Sequence, residues 1–320
     1  MKAIQIQTHG DPDVMTVHDV TRPEPGVGQV RIKVDASGVN FIDIYKRTGL
    51  YKVQLPLVLG EECAGTVDAV GSGVSGFKVG DRVASAFSSG AYAEYAIAAA
   101  DKLVPLPAGV STKQAAALLL QGMTAHYLVH STFPTRSGHT MLIHAAAGGT
   151  GALAVQMAKQ RGARVFGTTS TADKAKVARD AGADAVLDYA NFESEVKRLT
   201  DGQGVDVVYD SVGKDTFDRS LNCLRPRGLL VLFGQASGAV PPFELQTLNA
   251  KGSLYVTRPS LGAYIQTREE LLSRADDVLG WVAAGKLTLR IEREFALKDA
   301  PAAHRALASR GTTGKILLIP

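Results

Sequence analysis

Short apolar runs alternate with amphipathic stretches of helical length through the middle of the chain. The runs are TMLIHAAA (140–147), ARVFGTT (163–169), DAVLDY (184–189), VDVVYDSV (205–212) and GLLVLFG (228–234). Between the first two, GALAVQMAKQRG (151–162) places Leu153, Met157 and Gln160 on one side of a helix. The stretch TADKAKVARDAG (171–182) ends at a glycine that stops the next helix. This alternation predicts a parallel sheet with right-handed crossovers.

The segments on either side of this region are β-rich. Before it, VRIKVDASGV (30–39) and AGTVDAVGSGV (64–74) alternate, and KVGDRV (78–83) is typical of a tight turn that leads into a strand. After about residue 265 come a helix, the strand-like KLTLRIEREFAL, a helix around AAHRALASR and a last strand, KILLIP. We expect this last strand to return to the amino-terminal region. Residues 1–122 and 266–320 would then form one domain and residues 123–265 the other.

Composition and charge narrow the class of protein. The 320 residues are 45% apolar and 21% charged, with a mean hydropathy of +0.04, which disfavours intrinsic disorder and predicts about two globular domains. The net charge, 35 − 31 = +4, is scattered and does not favour nucleic acid as a partner. Two cysteines, Cys63 and Cys223, are too few for a disulfide framework. With no apolar signal segment and no stretch of membrane length, the sequence predicts a cytoplasmic protein with no membrane partner.

The segment HAAAGGTGALA (144–154) carries the clearest chemical signal. It follows the apolar strand TMLI and opens a helix, and Gly149, Gly151 and Ala154 occupy the small-residue positions of the G-x-G-x-x-A motif. The first allows a tight turn, the second lets the backbone approach a pyrophosphate, and the third lets helix and strand pack closely. The pattern predicts a dinucleotide site.

The end of the following strand bears on which dinucleotide binds. NAD sites place a carboxylate there to accept hydrogen bonds from the ribose hydroxyls. This chain instead has Thr168, Thr169, Ser170 and Thr171, followed by Lys174, and hydroxyls with a cation suit a 2′-phosphate. Asp173 is interpreted as a helix-start residue. The predicted cofactor is NADPH.

Six segments are together specific enough to indicate a family. They are GVNFIDIYKRTGLY (38–51), GSGVSGFKVGDRV (71–83), HAAAGGTG (144–151), VVYDSVGKDTF (207–217), FGQASGAV (233–240) and GSLYVTRPSL (252–261). With them the chain resembles, over essentially its whole length, the zinc-free NADPH:quinone oxidoreductases related to zeta-crystallin, within the medium-chain dehydrogenase/reductase superfamily. The resemblance implies an α/β fold. A Rossmann-type, doubly wound parallel sheet domain would bind NADPH at 123–265, and a β-rich GroES-like catalytic domain at 1–122 would be completed by 266–320.

The resemblance also implies contact residues. The substrate pocket would involve Asn40, Tyr45, Tyr51, Thr124 and Tyr127. The cofactor would contact Asn40, Phe41, Ile42, Asp43, Ile44, Tyr45, Thr124, Tyr127, Gly148, Gly149, Thr150, Gly151, Ser170, Thr171, Lys174, Tyr189, Val212, Gly234, Gln235, Ala236, Ser237, Gly238, Ala239, Pro259, Ser260, Leu261 and Arg310. By this resemblance Gly149 and Thr150 would hold the pyrophosphate, and Ser170, Lys174 and Tyr189 would hold the 2′-phosphate.

The same alignment bears on zinc. Alcohol dehydrogenases of the superfamily bind catalytic zinc through Cys and His, and this chain has Asn40, Glu61 and Gln121 at the aligned positions. Catalytic zinc requires three protein ligands, and only Glu61 is of a suitable type. Glu62 matches a structural glutamate of the family. We therefore predict no metal site.

Three histidines could suggest other chemistry. His126 and His130 have the four-residue spacing of the HEXXH zinc pair, but no Glu follows His126. Metal ligation by this pair is not favoured. His144, which starts the glycine turn, is expected to pack at the strand end.

These expectations give one function and two alternatives. The first is hydride transfer from C4 of NADPH to a quinone, with no essential acid or base, because the product is an aromatic oxyanion and the protein mainly supplies proximity. An NADPH-dependent alkenal or enone double-bond reductase would use the same pocket. The non-enzymatic alternative is an NADPH-carrying RNA-binding or structural protein, which the lack of a basic stripe with interleaved aromatics argues against. GLLVLFG and GSLYVT predict late strands with an exposed sheet edge, and hence a homodimer.

Overall fold

The computed structural model describes residues 1–320. The chain divides into unit 1, Met1–Gln121 with Ile265–Pro320, and unit 2, Gly122–Tyr264. The strands are β1 (Lys2–Ile6), β2 (Thr16–Asp19), β3 (Gln29–Gly38), β4 (Leu57–Val58), β5 (Glu62–Val70), β6 (Arg82–Ser85), β7 (Tyr95–Ala99), β8 (Val104–Pro105), β9 (Thr140–Ile143), β10 (Arg164–Thr169), β11 (Ala185–Asp188), β12 (Val205–Asp210), β13 (Leu224–Leu232), β14 (Tyr255–Thr257), β15 (Ile291–Ala296) and β16 (Lys315–Ile319). The α-helices are α1 (Phe41–Thr48), α2 (Thr112–Tyr127), α3 (Gly149–Gln160), α4 (Ala172–Asp180), α5 (Phe192–Leu199), α6 (Phe217–Cys223), α7 (Gln246–Ala250), α8 (Arg268–Ala283) and α9 (Ala300–Ala308).

Unit 2 is built on a six-stranded parallel sheet. The strand order is β11-β10-β9-β12-β13-β14, and every neighbouring pair is parallel. This is the doubly wound order, in which the direction of winding reverses between β9 and β12, and ligands bind outside the carboxyl ends of the strands at such a point. Helices cover both faces of such a sheet, which explains why every residue of β12 except Asp206 is buried. The predicted Rossmann-type fold is confirmed.

Unit 1 is β-rich. Its larger sheet has the order β15-β16-β3-β5-β6-β8, with β7 also paired to β3, and a smaller sheet has the order β2-β1-β4. The last strand, β16, pairs antiparallel with β3, where Leu317 lies opposite Gly38. The expected return of the carboxyl-terminal strand to the amino-terminal region is therefore confirmed.

The helical pattern of α3 is mostly as predicted. Leu153 and Met157 are buried, but Gln160 is exposed because it is the last residue of the helix and is followed by exposed residues.

The parallel sheet of unit 2 ends at β14, which has no further strand beside it, and Tyr255 of β14 is 62% exposed. No helix in the structure combines the length and the apolar character that a membrane crossing requires.

Candidate functional site

The predicted phosphate turn lies between β9 and α3, at the point where the winding reverses. Ala145 has a positive φ of 51°, and its carbonyl oxygen accepts a hydrogen bond from the Gly148 N–H at 2.9 Å. A β-carbon added at Gly151 would lie 2.2 Å from that same oxygen. The turn therefore requires glycine at 151, because its own backbone fills the space that a side chain would need.

The start of α3 presents backbone donors. Its first intrahelical hydrogen bond runs from the Ala152 N–H to the Gly148 carbonyl at 2.9 Å, so the N–H groups of Gly149, Thr150 and Gly151 precede the helical ladder. Together with the positive end of the helix dipole, such groups bind phosphates. The residues present fit the pyrophosphate of a dinucleotide.

The residues predicted to hold the 2′-phosphate follow two neighbouring strands. Thr169 of β10 lies opposite Asp188 of β11, so the next residues, Ser170 and Tyr189, emerge side by side at the carboxyl ends. Lys174 Nζ lies 3.4 Å from Ser170 Oγ. The Tyr189 hydroxyl accepts a hydrogen bond from the Ala145 N–H at 2.9 Å, which joins this group to the phosphate turn.

The helix after β10 explains the placement of two further residues. The hydroxyl of Thr171, the N-cap of α4, accepts from the Lys174 N–H at 3.3 Å. Asp173 is exposed in the first turn of α4, where the helix dipole stabilises a carboxylate. No carboxylate stands at the end of β10 itself, as NAD sites would require.

The loops after β12 and β13 meet, which brings Val212 to the predicted segment 234–239. Ser237 donates to the Val212 carbonyl from both its N–H and its hydroxyl at 2.8 Å, and the Ala236 N–H donates to the Ser211 carbonyl at 3.1 Å. The segment 259–261 follows β14, with Pro259 and Leu261 buried and Ser260 exposed. These predicted contacts therefore come after the carboxyl ends of three adjacent strands. Arg310 belongs to unit 1, between α9 and β16, and is exposed.

Thr124 and Tyr127 lie on α2. Tyr127 is only 1% exposed, and its ring stacks on that of Tyr264 with centroids 4.2 Å apart. Burial raises the pKa of the Tyr127 hydroxyl, so this group stays protonated at neutral pH.

The rings of His126 and His130 stack with their centroids 4.2 Å apart, as expected for side chains that share one helical face.

In unit 1 the predicted contacts cluster on α1. The six residues from 40 to 45 divide by burial: Asn40, Asp43 and Ile44 are buried, and Phe41, Ile42 and Tyr45 are half-buried. The ring of Tyr45 lies 5.3 Å from that of Tyr51 between centroids, and Tyr51 is exposed. The half-buried residues therefore include the aromatic Phe41 and Tyr45, with Tyr51 after the helix, whereas the buried ones include the polar Asn40 and Asp43.

That buried part begins with an ionic cluster of Asn40, Glu62 and Lys315. Lys315 Nζ donates to Glu62 Oε2 at 2.6 Å and to Asn40 Oδ1 at 2.7 Å. Asn40 Nδ2 donates to Glu62 Oε2 at 2.8 Å, and the Leu120 N–H donates to Glu62 Oε1 at 2.7 Å. Asn40, Glu62 and Lys315 are each at most 4% exposed. Lys315 thus neutralises a carboxylate that has no access to water.

Two of the three positions at which related alcohol dehydrogenases carry zinc ligands have other partners here. Asn40 belongs to the ionic cluster, and Glu61 accepts a hydrogen bond from Lys46 Nζ. Gln121 offers only an amide, whose Oε1 is buried without a hydrogen-bond partner. No three His, Cys, Asp or Glu side chains are grouped so that they could hold a metal ion. Two amides and a carboxylate paired with an ammonium do not fit zinc.

A second buried chain runs from Asp43 to Arg47. The Tyr92 hydroxyl donates to Asp43 Oδ2 at 2.9 Å and lies 3.1 Å from His304 Nε2, while His304 Nδ1 lies 3.0 Å from Arg47 Nη1. Because Arg47 can only donate, His304 accepts at Nδ1 and carries its proton on Nε2. Burial, with help from the Glu61 charge, raises the pKa of Asp43 to about 7. Burial and the Arg47 charge lower the pKa of His304 to about 3.

Sequence reasoning missed several of these polar partners. Lys315 is 253 residues from Glu62, and Tyr92 is 212 residues from His304, so no local pattern joins them. The one available signal is Lys315 itself, a lysine at the start of the apolar strand KILLI. Because lysine is almost never fully buried unless it is paired, burial of the start of this strand would require a carboxylate partner.

Comparisons of the sequence with protein families and with known proteins identify relatives of this chain. A family model for zinc-binding dehydrogenases matches residues 149–276, and one for the alcohol dehydrogenase GroES-like domain matches residues 26–108. A quinone oxidoreductase of Pseudomonas aeruginosa is 50% identical over 323 residues, covering 100% of this chain and 99% of the relative. A 2-haloacrylate reductase of a Burkholderia species is 42% identical over 99% of this chain and 98% of its own length.

A solved structure extends the comparison to three dimensions. The crystal structure of Escherichia coli quinone oxidoreductase complexed with NADPH superposes with a TM-score of 0.98 at 46% identity, covering 100% of both chains. Sequence similarity and fold therefore agree over the full length. The chain belongs to the quinone oxidoreductase family of the medium-chain dehydrogenase/reductase superfamily.

Proposed function

We propose that the protein is an NADPH:quinone oxidoreductase that transfers hydride from NADPH to a quinone without zinc. The observation that carries this proposal is the phosphate turn, which is hydrogen-bonded to Tyr189, together with the Ser170–Lys174 pair at the end of the neighbouring strand β10. Two hydroxyls and an ammonium are donors of the kind that bind a phosphate. The full-length similarity to quinone oxidoreductases, one of them solved with NADPH, supports the same cofactor and reaction.

The site residues follow from this assignment. Residues 123–265 would form the cofactor domain, with the N–H groups of Gly149 to Gly151 on the pyrophosphate, and residues 1–122 with 266–320 the catalytic domain. Arg310 is a further candidate contact of the cofactor. NADPH, when bound, supplies the hydride at nicotinamide C4. The chain's own task is to hold the two reactants at near-attack distance, roughly 3–3.5 Å.

No residue of the chain is assigned as an essential acid or base. Of the hydroxyl-bearing residues predicted for the substrate pocket, Tyr51 is exposed and Tyr45 and Thr124 are half-buried, whereas Tyr127 is buried in its stack with Tyr264. A reduced quinone leaves as an aromatic oxyanion, which such hydroxyls stabilise by hydrogen bonding. Water then supplies the proton, so the rate depends mainly on position.

A second reaction deserves a direct test because of one relative. The 2-haloacrylate reductase, 42% identical over nearly the whole chain, has a name that indicates reduction of an activated carbon–carbon double bond. The same hydride donor would serve this reaction with hydride delivered to a β-carbon. It differs from quinone reduction in its need for a proton at the α-carbon.

The experiment is stopped-flow oxidation of NADPH against 1,4-benzoquinone, a larger naphthoquinone, an enal and 2-chloroacrylate, repeated after chelation. Quinone turnover that is fast and insensitive to the chelator supports the proposal. Rapid turnover of only the enal or the haloacrylate would replace it with double-bond reduction, and a salt-sensitive gel shift with single-stranded RNA without NADPH oxidation would indicate the non-enzymatic alternative.

The cofactor assignment has its own matched pair of variants. Lys174→Ala should weaken NADPH binding by about tenfold or more and leave NADH binding nearly unchanged, since one charge-assisted hydrogen bond to the phosphate is lost. Lys176→Ala, two residues away on the same helix and 77% exposed, should change neither affinity. Equal loss for both cofactors in Lys174→Ala would contradict the assignment.

We also propose a cytoplasmic homodimer. Both cysteines, Cys63 and Cys223, are buried and unpaired, which suits a reducing compartment. The edge strand β14, with Tyr255 62% exposed, offers a face for pairing across a two-fold axis. Light scattering should give twice the chain mass, and Tyr255→Lys should lower it. A monomer at micromolar concentration would exclude the dimer.

A further inference from the structure

His144 lies directly before the phosphate turn and is wholly buried. Its Nδ1 is 2.9 Å from Thr168 Oγ1, and its Nε2 is 2.9 Å from Ser220 Oγ. The ring is further held edge-to-face against Phe192, 4.9 Å between centroids. Both nitrogens of a buried imidazole are thus bonded to hydroxyl groups, each of which can donate or accept.

The direction of these hydrogen bonds follows from Asp210. The Ser220 hydroxyl lies 3.1 Å from Asp210 Oδ2 and donates to it, and the same oxygen accepts from the Thr216 hydroxyl at 2.7 Å. Because Ser220 has spent its only proton, it must accept from His144 Nε2. His144 therefore carries its proton on Nε2, and its bare Nδ1 accepts from the Thr168 hydroxyl.

Both ends of this chain reach loops of the candidate dinucleotide site. Thr168 Oγ1 accepts at 3.3 Å from the Ala145 N–H, which it shares with the Tyr189 hydroxyl at 2.9 Å, and the Thr168 carbonyl accepts from the Ala146 N–H at 3.1 Å. At the other end Asp210 Oδ1 accepts from the N–H groups of Val212 and Gly213 at 2.8 and 3.0 Å. One directed series of hydrogen bonds thus connects the turn after β9 to the loop after β12.

The residue types resemble a hydrolytic triad, but the order differs. In a triad the histidine lies between serine and aspartate and removes the serine proton. Here Ser220 lies between His144 and Asp210, its proton is held by the carboxylate, and all three side chains are 0% exposed. The arrangement can orient groups but cannot generate a nucleophile.

We propose that His144 is a positioning residue for the dinucleotide site: a neutral imidazole, protonated on Nε2, that fixes the phosphate turn against the β12 loop through Thr168 and Ser220. The inference rests on the proposed cofactor role of the turn. The function of His144 is to hold Ala145 in the left-handed conformation, which leaves the first N–H groups of α3 free for phosphate. A change at His144 or its partners should therefore affect cofactor affinity more than turnover.

The first test is a spectroscopic signature that general loss of packing would not produce. Nitrogen NMR of the full chain with ¹⁵N-labelled histidine, assigned with a His144→Asn variant, should show His144 with a protonated Nε2 and an unprotonated Nδ1 at neutral pH. An Nδ1–H tautomer or an imidazolium would overturn the proposal. This measurement needs no cofactor, so it stands even if the proposed function fails.

The second test compares hydroxyl deletions by NADPH fluorescence titration. Thr168→Val should raise the Kd for NADPH about tenfold and change kcat less than about twofold, while Thr168→Ser, which keeps the hydroxyl, should restore most of the affinity. The control is Thr135→Val, since Thr135 is equally buried in unit 2 but its hydroxyl donates to the Phe133 carbonyl, away from the turn.

The outcomes separate the two proposals. If the unsubstituted protein does not bind NADPH, the proposed function fails; if it binds and Thr168→Val binds equally tightly, the positioning role fails. If Thr168→Val does not fold, Ser220→Ala breaks the chain at the other ring nitrogen and should weaken NADPH binding in the same way. An unchanged Kd in folded Ser220→Ala would overturn the inference.

Discussion

Gly151→Ala would place an atom where the phosphate turn has no room for one. The added β-carbon would lie 2.2 Å from the Ala145 carbonyl oxygen, 3.0 Å from its carbonyl carbon and 3.1 Å from Ala146 Cα. All three are backbone atoms, so no side-chain rotation relieves the contact. Ala145 is also tied at its N–H to the Tyr189 hydroxyl at 2.9 Å. Either the turn or the first turn of α3 must therefore move.

The expected magnitude follows from what that movement breaks. The carbon–oxygen separation must grow from 2.2 Å to at least 3.0 Å, a shift large enough to misalign the N–H groups of Gly149 to Gly151 from a bound pyrophosphate. Hydrogen bonds to a charged group contribute about 1.5–3 kcal/mol each. Loss of one or two should raise the Kd for NADPH by at least about tenfold and by up to about 10⁴-fold. Overpacking should also lower the free energy of unfolding by about 1–3 kcal/mol.

The assay is NADPH fluorescence titration, combined with urea unfolding to show that the variant is folded. The matched control is Gly280→Ala on α8, where an added β-carbon meets nothing within 4 Å. It should keep the Kd and raise the free energy of unfolding by about 0.5–1 kcal/mol, because alanine loses less backbone entropy in a helix. A folded Gly151→Ala protein with the affinity of the unsubstituted protein would refute the steric argument.

Three further predictions concern unit 1. Lys315→Met leaves the Glu62 carboxylate buried and uncompensated and should cost about 3–5 kcal/mol in urea unfolding, part of it recovered by adding Glu62→Gln; a loss below about 1 kcal/mol would contradict this reading of the ion pair. The pKa of Asp43 is raised from 3.8 to about 7, so Asp43 stabilises the folded protein fully below pH 3.8, and this contribution is lost as the pH rises towards 7. The pKa of His304 is lowered from 6.5 to about 3, so its contribution is complete above pH 6.5 and is lost as the pH falls towards 3. Between these limits the two slopes oppose each other, so the free energy of unfolding should rise more steeply with pH in Asp43→Asn than in the unsubstituted protein, and parallel profiles would show that Asp43 does not titrate there. Tyr45→Phe should slow single-turnover hydride transfer by much less than the roughly 10²–10⁴-fold that loss of a general acid costs, and near-complete loss of transfer would identify an essential donor.

Elements with local signals were predictable from the sequence. The turn after β9 and the start of α3 follow from a strand, three small residues and a helix in succession, all within fifteen residues of chain. The end of α4 follows from Gly182, which has a φ of 105° that most residues avoid. These features depend on backbone sterics and apolar periodicity, both of which a short window of sequence contains.

Where tertiary pairing decides the structure, local patterns fall short. The apolar run at 228–234 predicts a strand, but β13 begins earlier, at Leu224, and includes Pro226 and the left-handed Arg227. Pairing of Leu224 with Val205 on the neighbouring strand extends β13, against the preferences of these residues. Proline and a positive φ both argue against a strand when the neighbour is unknown.

The candidate site divides in the same way. The phosphate turn and its 2′-phosphate partners lie close in sequence or at the ends of adjacent strands, so they could be predicted. The partners of Asn40 could not, because sheet register alone brings them together: Gly38 pairs with Glu62 on one side and with Leu317 on the other. That register depends on the whole of unit 1, which no single segment specifies.

Lys315 follows Glu62 by 253 residues, and this separation has a consequence for biosynthesis. Until β16 has been translated, β3 lacks that neighbour and Glu62 has no counter-ion, so this part of unit 1 cannot reach its final state. Residues 122–264 form unit 2 as one contiguous stretch, all of which is translated before β16. The sheet of unit 2 should therefore be complete before that of unit 1, and a stop codon that removes β16 should harm the folding of unit 1 most.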